Sequence, residues 1–122
     1  MKVVLIGAGN VASHLGAALY NLGYTIAQVY SRTMNSAQEL ATAVKASPTN
    51  NISEIITDAD CYIFSVKDDV LGDLIAQTPD NKGIWIHTAG SMPLDIFANR
   101  TKNYGVIYPL QTFSKDKKIE WD

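Results

Sequence analysis

Residues 2–22 read KVVLIGAGNVASHLGAALYNL. The apolar residues Val3, Val4, Leu5 and Ile6 run without polar alternation into Gly7-Ala8-Gly9, and the residues that follow carry apolar side chains at helical spacing. Val11, Leu15, Ala18, Leu19 and Leu22 fall on one stripe of an amphipathic helix. Gly23 stands where a left-handed C-cap belongs. This spacing predicts a strand feeding a helix through a glycine turn. The lack of alternation predicts a strand covered on both faces, as in a parallel sheet with helices on either side.

The turn has the form Gly7-x-Gly9-x-x-Ala12, a dinucleotide-binding fingerprint in its G-x-G-x-x-A version. Gly7 permits the tight turn, Gly9 lets a pyrophosphate approach the backbone, and Ala12 lets helix and strand pack closely. The free N–H groups of the helix beginning near Asn10, through Val11 and Ala12, then point at that pyrophosphate with the positive end of the helix dipole. Such a triplet alone is weak; between an apolar strand and a helix it has the context the motif requires.

The remainder of the chain repeats the alternation. Thr25-Ile26-Ala27-Gln28-Val29-Tyr30 reads as a second strand, and Asn35 or Ser36 as the cap of a helix burying Ala37, Leu40, Ala41 and Val44. Ala46-Ser47 reads as a very short strand, Pro48-Thr49-Asn50-Asn51 as a loop, and Ile52, Ile55 and Ile56 as a brief helix. Cys61-Tyr62-Ile63-Phe64-Ser65-Val66 is the next buried strand, followed by a helix around Val70, Leu71, Leu74 and Ile75 with Asp68 as its cap and Asp69 solvated. Gly83-Ile84-Trp85-Ile86-His87 is a further strand, Pro93 opens a short helix over Leu94, Ile96 and Phe97, and Val106-Ile107-Tyr108 is the last strand. Repeated βαβ units with right-handed crossovers make an α/β, doubly wound, mostly parallel sheet with helices on both faces. Its expected order is 3-2-1-4-5-6, with a ligand crevice outside the C-terminal strand ends.

Composition sets the outer bounds. The 122 residues suffice for one domain, and 47% apolar residues suffice to fill its core. A net charge of −2 gives no argument for nucleic acid or an anionic membrane surface as partner, and neither is expected. The single cysteine, Cys61, excludes an internal disulfide, reads as a small buried strand residue, and fits a reducing compartment. With Asn10, Ser13 and His14 interrupting the first apolar run, neither a signal peptide nor a membrane span is expected, and the protein is expected to be cytoplasmic. No metal site is expected.

The polar residues that follow the strands choose the ligand. An NAD site has Asp or Glu about 20 residues past the glycines. Here the chain reads Tyr30-Ser31-Arg32-Thr33, with no carboxylate. A guanidinium grips a 2′-phosphate in charge-assisted hydrogen bonds of about 1.5–3 kcal/mol each, which points to NADP held by Ser31, Arg32 and Thr33. Ser65, Val66 and Lys67 should pass beside the cofactor's ribose. His87, Thr88, Ala89 and Gly90 should lie near the nicotinamide ring, where His87 is the one candidate proton donor, against the alternative of a structural, backbone-bonded histidine. His14 reads as a surface residue.

These segments, together with Tyr108-Pro109-Leu110-Gln111-Thr112-Phe113, resemble the N-terminal Rossmann domain of a bacterial group of NADP oxidoreductases. That group is similar to pyrroline-5-carboxylate reductases and deazaflavin-dependent NADP oxidoreductases, and more distantly to β-hydroxyacid dehydrogenases. Tyr108 departs from the histidine the resemblance leads one to expect there. The resemblance implies NADP as cofactor and hydride transfer to a small carbonyl or imine substrate. It also implies a C-terminal helical domain that makes a homodimer and closes the substrate pocket. With Ile119, Glu120 and Trp121 opening what looks like a strand and the chain stopping at Asp122, residues 1–122 are expected to be the NADP-binding domain with that helical domain absent. The alternative function is a nucleotide-sensing or regulatory module that holds NADP without turnover. A second alternative is an interaction domain with a vestigial glycine loop, against which the intact triplet and Arg32 argue.

Overall fold

The computed structural model describes residues 1–88, 94–97, 100–101 and 104–106. Its strands are β1 (Lys2–Ile6), β2 (Thr25–Tyr30), β3 (Ser47–Thr49), β4 (Cys61–Phe64), β5 (Ile84–His87) and β6 (Tyr104–Val106). Three α-helices, α1 (Asn10–Asn21), α2 (Met34–Val44) and α3 (Asp68–Gln77), connect them, with 3₁₀ turns at Ile52–Glu54 and Leu94–Phe97. All pairings are parallel, and the strand order is β3-β2-β1-β4-β5-β6. This is the expected doubly wound Rossmann sheet. The chain starts in the middle and winds to one edge, then returns to build the other, so the order reverses between β1 and β4.

β1 shows why the apolar run lacks alternation. Val3 and Leu5 pack with Leu15, Leu40 and Val44 on one face, while Val4 and Ile6 pack with Phe64, Leu71 and Trp85 on the other. Both faces are dry, so every position must be apolar. The second face centres on aromatic rings: Phe64 lies 5.4 Å from Trp85 and 5.5 Å from Phe97. The buried amide of Gln28 ties β2 to the loop before β4, donating to the Glu54 carbonyl at 3.0 Å and accepting from the Ile56 N–H at 2.9 Å. These bonds satisfy an amide side chain in a core strand.

The helix ends follow local chemistry. After α1, Gly23 takes φ +94°, its N–H donates to Tyr20, and the Tyr24 N–H donates to Leu19, a full Schellman motif on the expected glycine. At the end of α2 the same geometry is imposed on Lys45 at φ +58°, with Ala46 donating to Ala41 at 2.8 Å. Arg100 covers the C-terminus of α3. Its guanidinium donates to the carbonyls of Ile75, Ala76 and Thr78 and to the Asp80 carboxylate at 2.6–2.8 Å, and it lies 5.4 Å from the Trp85 ring.

Several expected boundaries shift. β3 is Ser47–Thr49, so Pro48 is inside a strand; it is tolerated because β3 is an edge. The cap of α2 is Thr33, whose hydroxyl accepts from the Ser36 N–H, not Asn35 or Ser36. The cap of α3 is Lys67 and not Asp68; Asp68 and Asp69 occupy the first helical turn, where a carboxylate suits the dipole. Leu22 is exposed, because α1 buries Ala12, Leu15 and Gly16 and its stripe turns away from the sheet before the C-terminus. β6 begins at Tyr104 and is described only to Val106. Pro93, the segment Tyr108-Pro109-Leu110-Gln111-Thr112-Phe113, and Ile119, Glu120 and Trp121 lie outside the described residues. Among the described residues no helix is long and apolar enough to cross a membrane.

Candidate functional site

The C-terminal ends of β1, β2 and β4 meet around a cleft of about 550 Å³. Gly7, Ala8 and Gly9 line its floor, Tyr30, Ser31, Arg32, Thr33 and Ser36 one wall, and Ser65, Val66 and Lys67 the other, which continues along α3.

The two glycines have different tasks. Gly7 sits at φ +117°, and a Cβ there would lie 2.3 Å from the Ser65 carbonyl oxygen, so this residue lets β1 leave the sheet beside β4. Gly9 has φ −79°, a conformation open to any residue, and a Cβ there would meet nothing within 4 Å. Its missing side chain keeps space clear in the cleft. Gly9 is also the N-cap of α1 and offers no side-chain acceptor, and the first helical turn contains no acidic residue. The first intrahelical bond runs from the Ser13 N–H to the Gly9 carbonyl at 2.9 Å. The preceding amides of Asn10, Val11 and Ala12 therefore have no intrahelical acceptor. An open floor beside uncapped amides is a donor set that fits a diphosphate.

The Arg32 side chain is exposed and has no hydrogen-bond or ion-pair partner among the described residues. Next to it the Thr33 hydroxyl donates to Ser36 Oγ at 3.0 Å, which leaves the Ser36 proton for an acceptor in the cleft. Sequence reasoning missed Ser36 as a lining residue, although its place three residues after the Thr33 cap puts it on the same turn. On the opposite wall, Ser65 Oγ is buried with no hydrogen-bond partner among the described residues. Missed as well were Val70, Asp73, Leu74 and Gln77, which line the cleft from α3.

The cleft therefore gathers Gly7, Gly9, Ser31, Arg32, Thr33, Ser65, Val66 and Lys67, as expected. Asn10, Val11 and Ala12 are not among its lining; Ala12 is buried in the core, so only backbone from this turn is available. Thr88 is buried and its N–H donates to Phe64 at 3.2 Å. His87 is wholly buried, its ring 5.5 Å from Phe97, and it too is not among the lining. Ala89 and Gly90 lie outside the described residues.

A larger hollow of about 860 Å³ lies at the other end of the strands, lined by Met1, Asp58, Asp60, Asp80, Lys82 and Ile84 among others. There Lys2 Nζ sits 2.9 Å from Asp58 and holds that carboxyl below its ordinary value through the hydrogen bond and its charge. The hollow is at the N-terminal strand edge, away from the glycine turn and the switch point. In open parallel sheets ligands bind at the opposite, C-terminal edge.

Residues 2–87 match the family of coenzyme F420-dependent NADP oxidoreductases. The chain belongs to that family. It is 43% identical to the putative NADP oxidoreductase of Bacteroides fragilis, with a TM-score of 0.81 over 92% of this chain and 45% of that one. Two more distant structures share the fold. A 1-pyrroline-5-carboxylate reductase of Streptococcus pyogenes has a TM-score of 0.69 at 19% identity over 83% of this chain and 38% of its own. An imine reductase of Myxococcus stipitatus, solved with NADP+, has the same TM-score and identity over 88% of this chain and 41% of its own. The chain thus spans less than half the length of these structures. No curated protein matches it significantly.

Proposed function

We propose that this chain is the NADP-binding domain of an oxidoreductase that moves a hydride between nicotinamide and the carbonyl or imine carbon of a small substrate. The hydride chemistry belongs to the cofactor; the protein contributes binding and orientation. Gly7, Gly9 and the amides of Asn10, Val11 and Ala12 hold the pyrophosphate. Arg32, with Ser31, Thr33 and Ser36, holds the 2′-phosphate. Ser65, Val66 and Lys67 flank the nicotinamide ribose, with Thr88, Ala89 and Gly90 beyond them. The helical domain and the homodimer implied by the family resemblance, and a cytoplasmic location, belong to the same reading.

The observation that carries the proposal is the exposed, unpartnered Arg32 guanidinium on one wall of the cleft whose floor is the glycine turn. A carboxylate at that position would repel a 2′-phosphate; a guanidinium attracts it and accepts no hydrogen bond from a ribose hydroxyl.

The burial of His87 favours a second reading. A general acid must come within hydrogen-bond reach of its substrate, and a ring enclosed beside Phe97 does not. A module that holds NADP without turnover needs no such group.

Calorimetric titration of the chain with NADP(H) and NAD(H), repeated on Arg32→Ala, tests the proposal. NADP(H) should bind about 10- to 100-fold more tightly than NAD(H), and Arg32→Ala should remove the difference. Equal affinity for both nucleotides would overturn the choice of NADP, and failure to bind either would overturn the cofactor reading.

A further inference from the structure

The turn that carries Arg32 is held from both sides of β2. On the inner side the Gly7 N–H donates to the Tyr30 carbonyl at 2.8 Å, and on the outer side the Ser31 N–H donates to the Thr49 carbonyl at 3.1 Å. The outer support is the weaker one by itself, because β3 is a three-residue strand at the edge of the sheet with Pro48 at its centre.

A side-chain brace stands behind that outer bond. Thr49 is buried, and its hydroxyl donates to Glu54 Oε1 at 3.0 Å and accepts from the Asn51 N–H at 3.1 Å, with the Asn51 carbonyl a longer acceptor at 3.4 Å. A hydroxyl bonded to a carboxylate makes the stronger, charge-assisted kind of hydrogen bond. The Glu54 carbonyl accepts from Gln28 Nε2 at 3.0 Å, and Gln28 Oε1 accepts from the Ile56 N–H at 2.9 Å. The segment from Thr49 to Ile56 is thus pinned to β2 at both ends: through Gln28, two residues before Tyr30, and through Ser31, one residue before Arg32. Neither Thr49 nor Glu54 is among the residues lining the cleft, so any effect they have on a ligand passes through the turn they hold.

We propose that Thr49 is a positioning residue for the choice of cofactor: its bond to Glu54 fixes the end of β3, and its carbonyl thereby holds the Ser31–Arg32 turn so that the guanidinium is presented to the cleft. The inference rests on the NADP reading above and adds the device that keeps Arg32 in place. A guanidinium grips a phosphate through parallel, directional hydrogen bonds, so a loosened turn weakens that contact. The glycine floor is tied to the other side of β2 through Tyr30 and is unaffected. The loss is therefore selective for the nucleotide that carries the 2′-phosphate.

The test is calorimetric titration of the chain with NADP+ and NAD+, on wild type, Thr49→Val, Glu54→Ala, Glu54→Gln, Arg32→Ala and the Thr49→Val, Arg32→Ala double variant, with thermal melts to confirm folding. Thr49→Val keeps the shape of the side chain and removes the hydroxyl; it should weaken NADP+ binding about five- to tenfold and leave NAD+ binding within about twofold. Glu54→Ala, at an exposed position, should fold as wild type does and weaken NADP+ about threefold, since the Asn51 carbonyl still accepts from Thr49. Glu54→Gln retains an acceptor for the hydroxyl and should keep the wild-type preference. Without Arg32, Thr49→Val should change neither affinity. A preference unchanged in both Thr49→Val and Glu54→Ala, an equal loss for the two nucleotides, a preference as low in Glu54→Gln as in Glu54→Ala, or a further loss in the Arg32→Ala background overturns the positioning role and leaves the dinucleotide site standing. If Thr49→Val does not fold, Glu54→Ala decides. Wild type that binds neither nucleotide, or both equally, overturns the NADP reading together with the brace.

Discussion

Gly7 and Gly9 are two residues apart in one motif, yet the structure predicts opposite consequences for adding a methyl group to each. At Gly7 the methyl would lie 2.3 Å from the Ser65 carbonyl oxygen and 2.9 Å from its carbon, both backbone atoms of the neighbouring chain segment. It would also be held at φ +117°. The conformational penalty is about 1–2 kcal/mol and the overpacking about 1–3 kcal/mol, so Gly7→Ala should destabilise by roughly 2–5 kcal/mol. At about 4 °C per kcal/mol for a chain of this size, that is a fall in Tm of about 8–20 °C. At Gly9 the backbone is in an ordinary extended conformation and the methyl meets no protein atom within 4 Å. Losing a glycine N-cap costs a few tenths of a kcal/mol and stiffening the unfolded chain returns about as much, leaving stability within roughly 0.5 kcal/mol of wild type. The space it enters is the one assigned to the pyrophosphate, so Gly9→Ala should bind NADP(H) at least about 30-fold more weakly, equivalent to about 2 kcal/mol. Thermal melts followed by circular dichroism, paired with calorimetric titration, read both effects. A Gly9→Ala protein that binds with wild-type affinity would refute the assignment of that space, and a Gly7→Ala protein that melts at the wild-type temperature would refute the steric argument.

Three further outcomes concern stability. Arg100→Ala removes the donors to the carbonyls of Ile75, Ala76 and Thr78 and the cation above Trp85; a loss of about 2–4 kcal/mol in urea unfolding is expected, most of it retained in Arg100→Lys, which cannot span the same acceptors. Lys45→Gly relieves a left-handed residue at φ +58° and should stabilise by about 0.5–1 kcal/mol, raising the urea midpoint. Burial, with a smaller contribution from Asp60, pushes the Cys61 thiol up from 9.0 to about 11. Because the folded value exceeds the unfolded one, the associated stability is complete below pH 9 and declines as pH rises towards 11. Melting temperatures between pH 8 and pH 10.5 should therefore fall less steeply in Cys61→Ala than in wild type, and an identical slope in both would count against it.

The sheet was legible because its signals are local and redundant. An apolar run without alternation, as at β1, has one physical interpretation once a glycine turn and a helix follow it. The strand order then follows from crossover handedness and from the chain starting at the centre. The cap positions were less legible. Thr33 and Lys67, not Ser36 and Asp68, carry extended backbone at φ −113° and −65°. Side-chain preference names good caps, but where the chain leaves its strand decides which residue is still extended. The close approach of α1 to β1 shows the same limit. The fingerprint assigns it to Ala12, yet a Cβ at Gly16 would come within 2.9 Å of Leu5 Cδ1. The motif therefore accounts for the turn, while the helix crossing angle sets where the second small residue is needed.

The candidate site divides along the same line. Its floor and the Arg32 wall were readable because each follows directly from a strand end: β2 and β4 flank β1, so whatever succeeds Tyr30 and Phe64 must border the glycine turn. The α3 wall was not. Val70 and Leu71 are adjacent, as are Leu74 and Ile75, and neighbours on a helix point about 100° apart. Hydropathy assigns both pairs to a single buried face; only the docked helix reveals that Leu71 and Ile75 are buried in the core, that Leu74 packs against that core at the edge of the cleft, and that Val70 is exposed in the cleft. The polar residues that share this second face, Asp73 and Gln77, are indistinguishable in sequence from solvated surface. The Arg32 wall, by contrast, was legible as a site because its residue type bears on the ligand: changes at Arg32 should alter the preference between NADP and NAD.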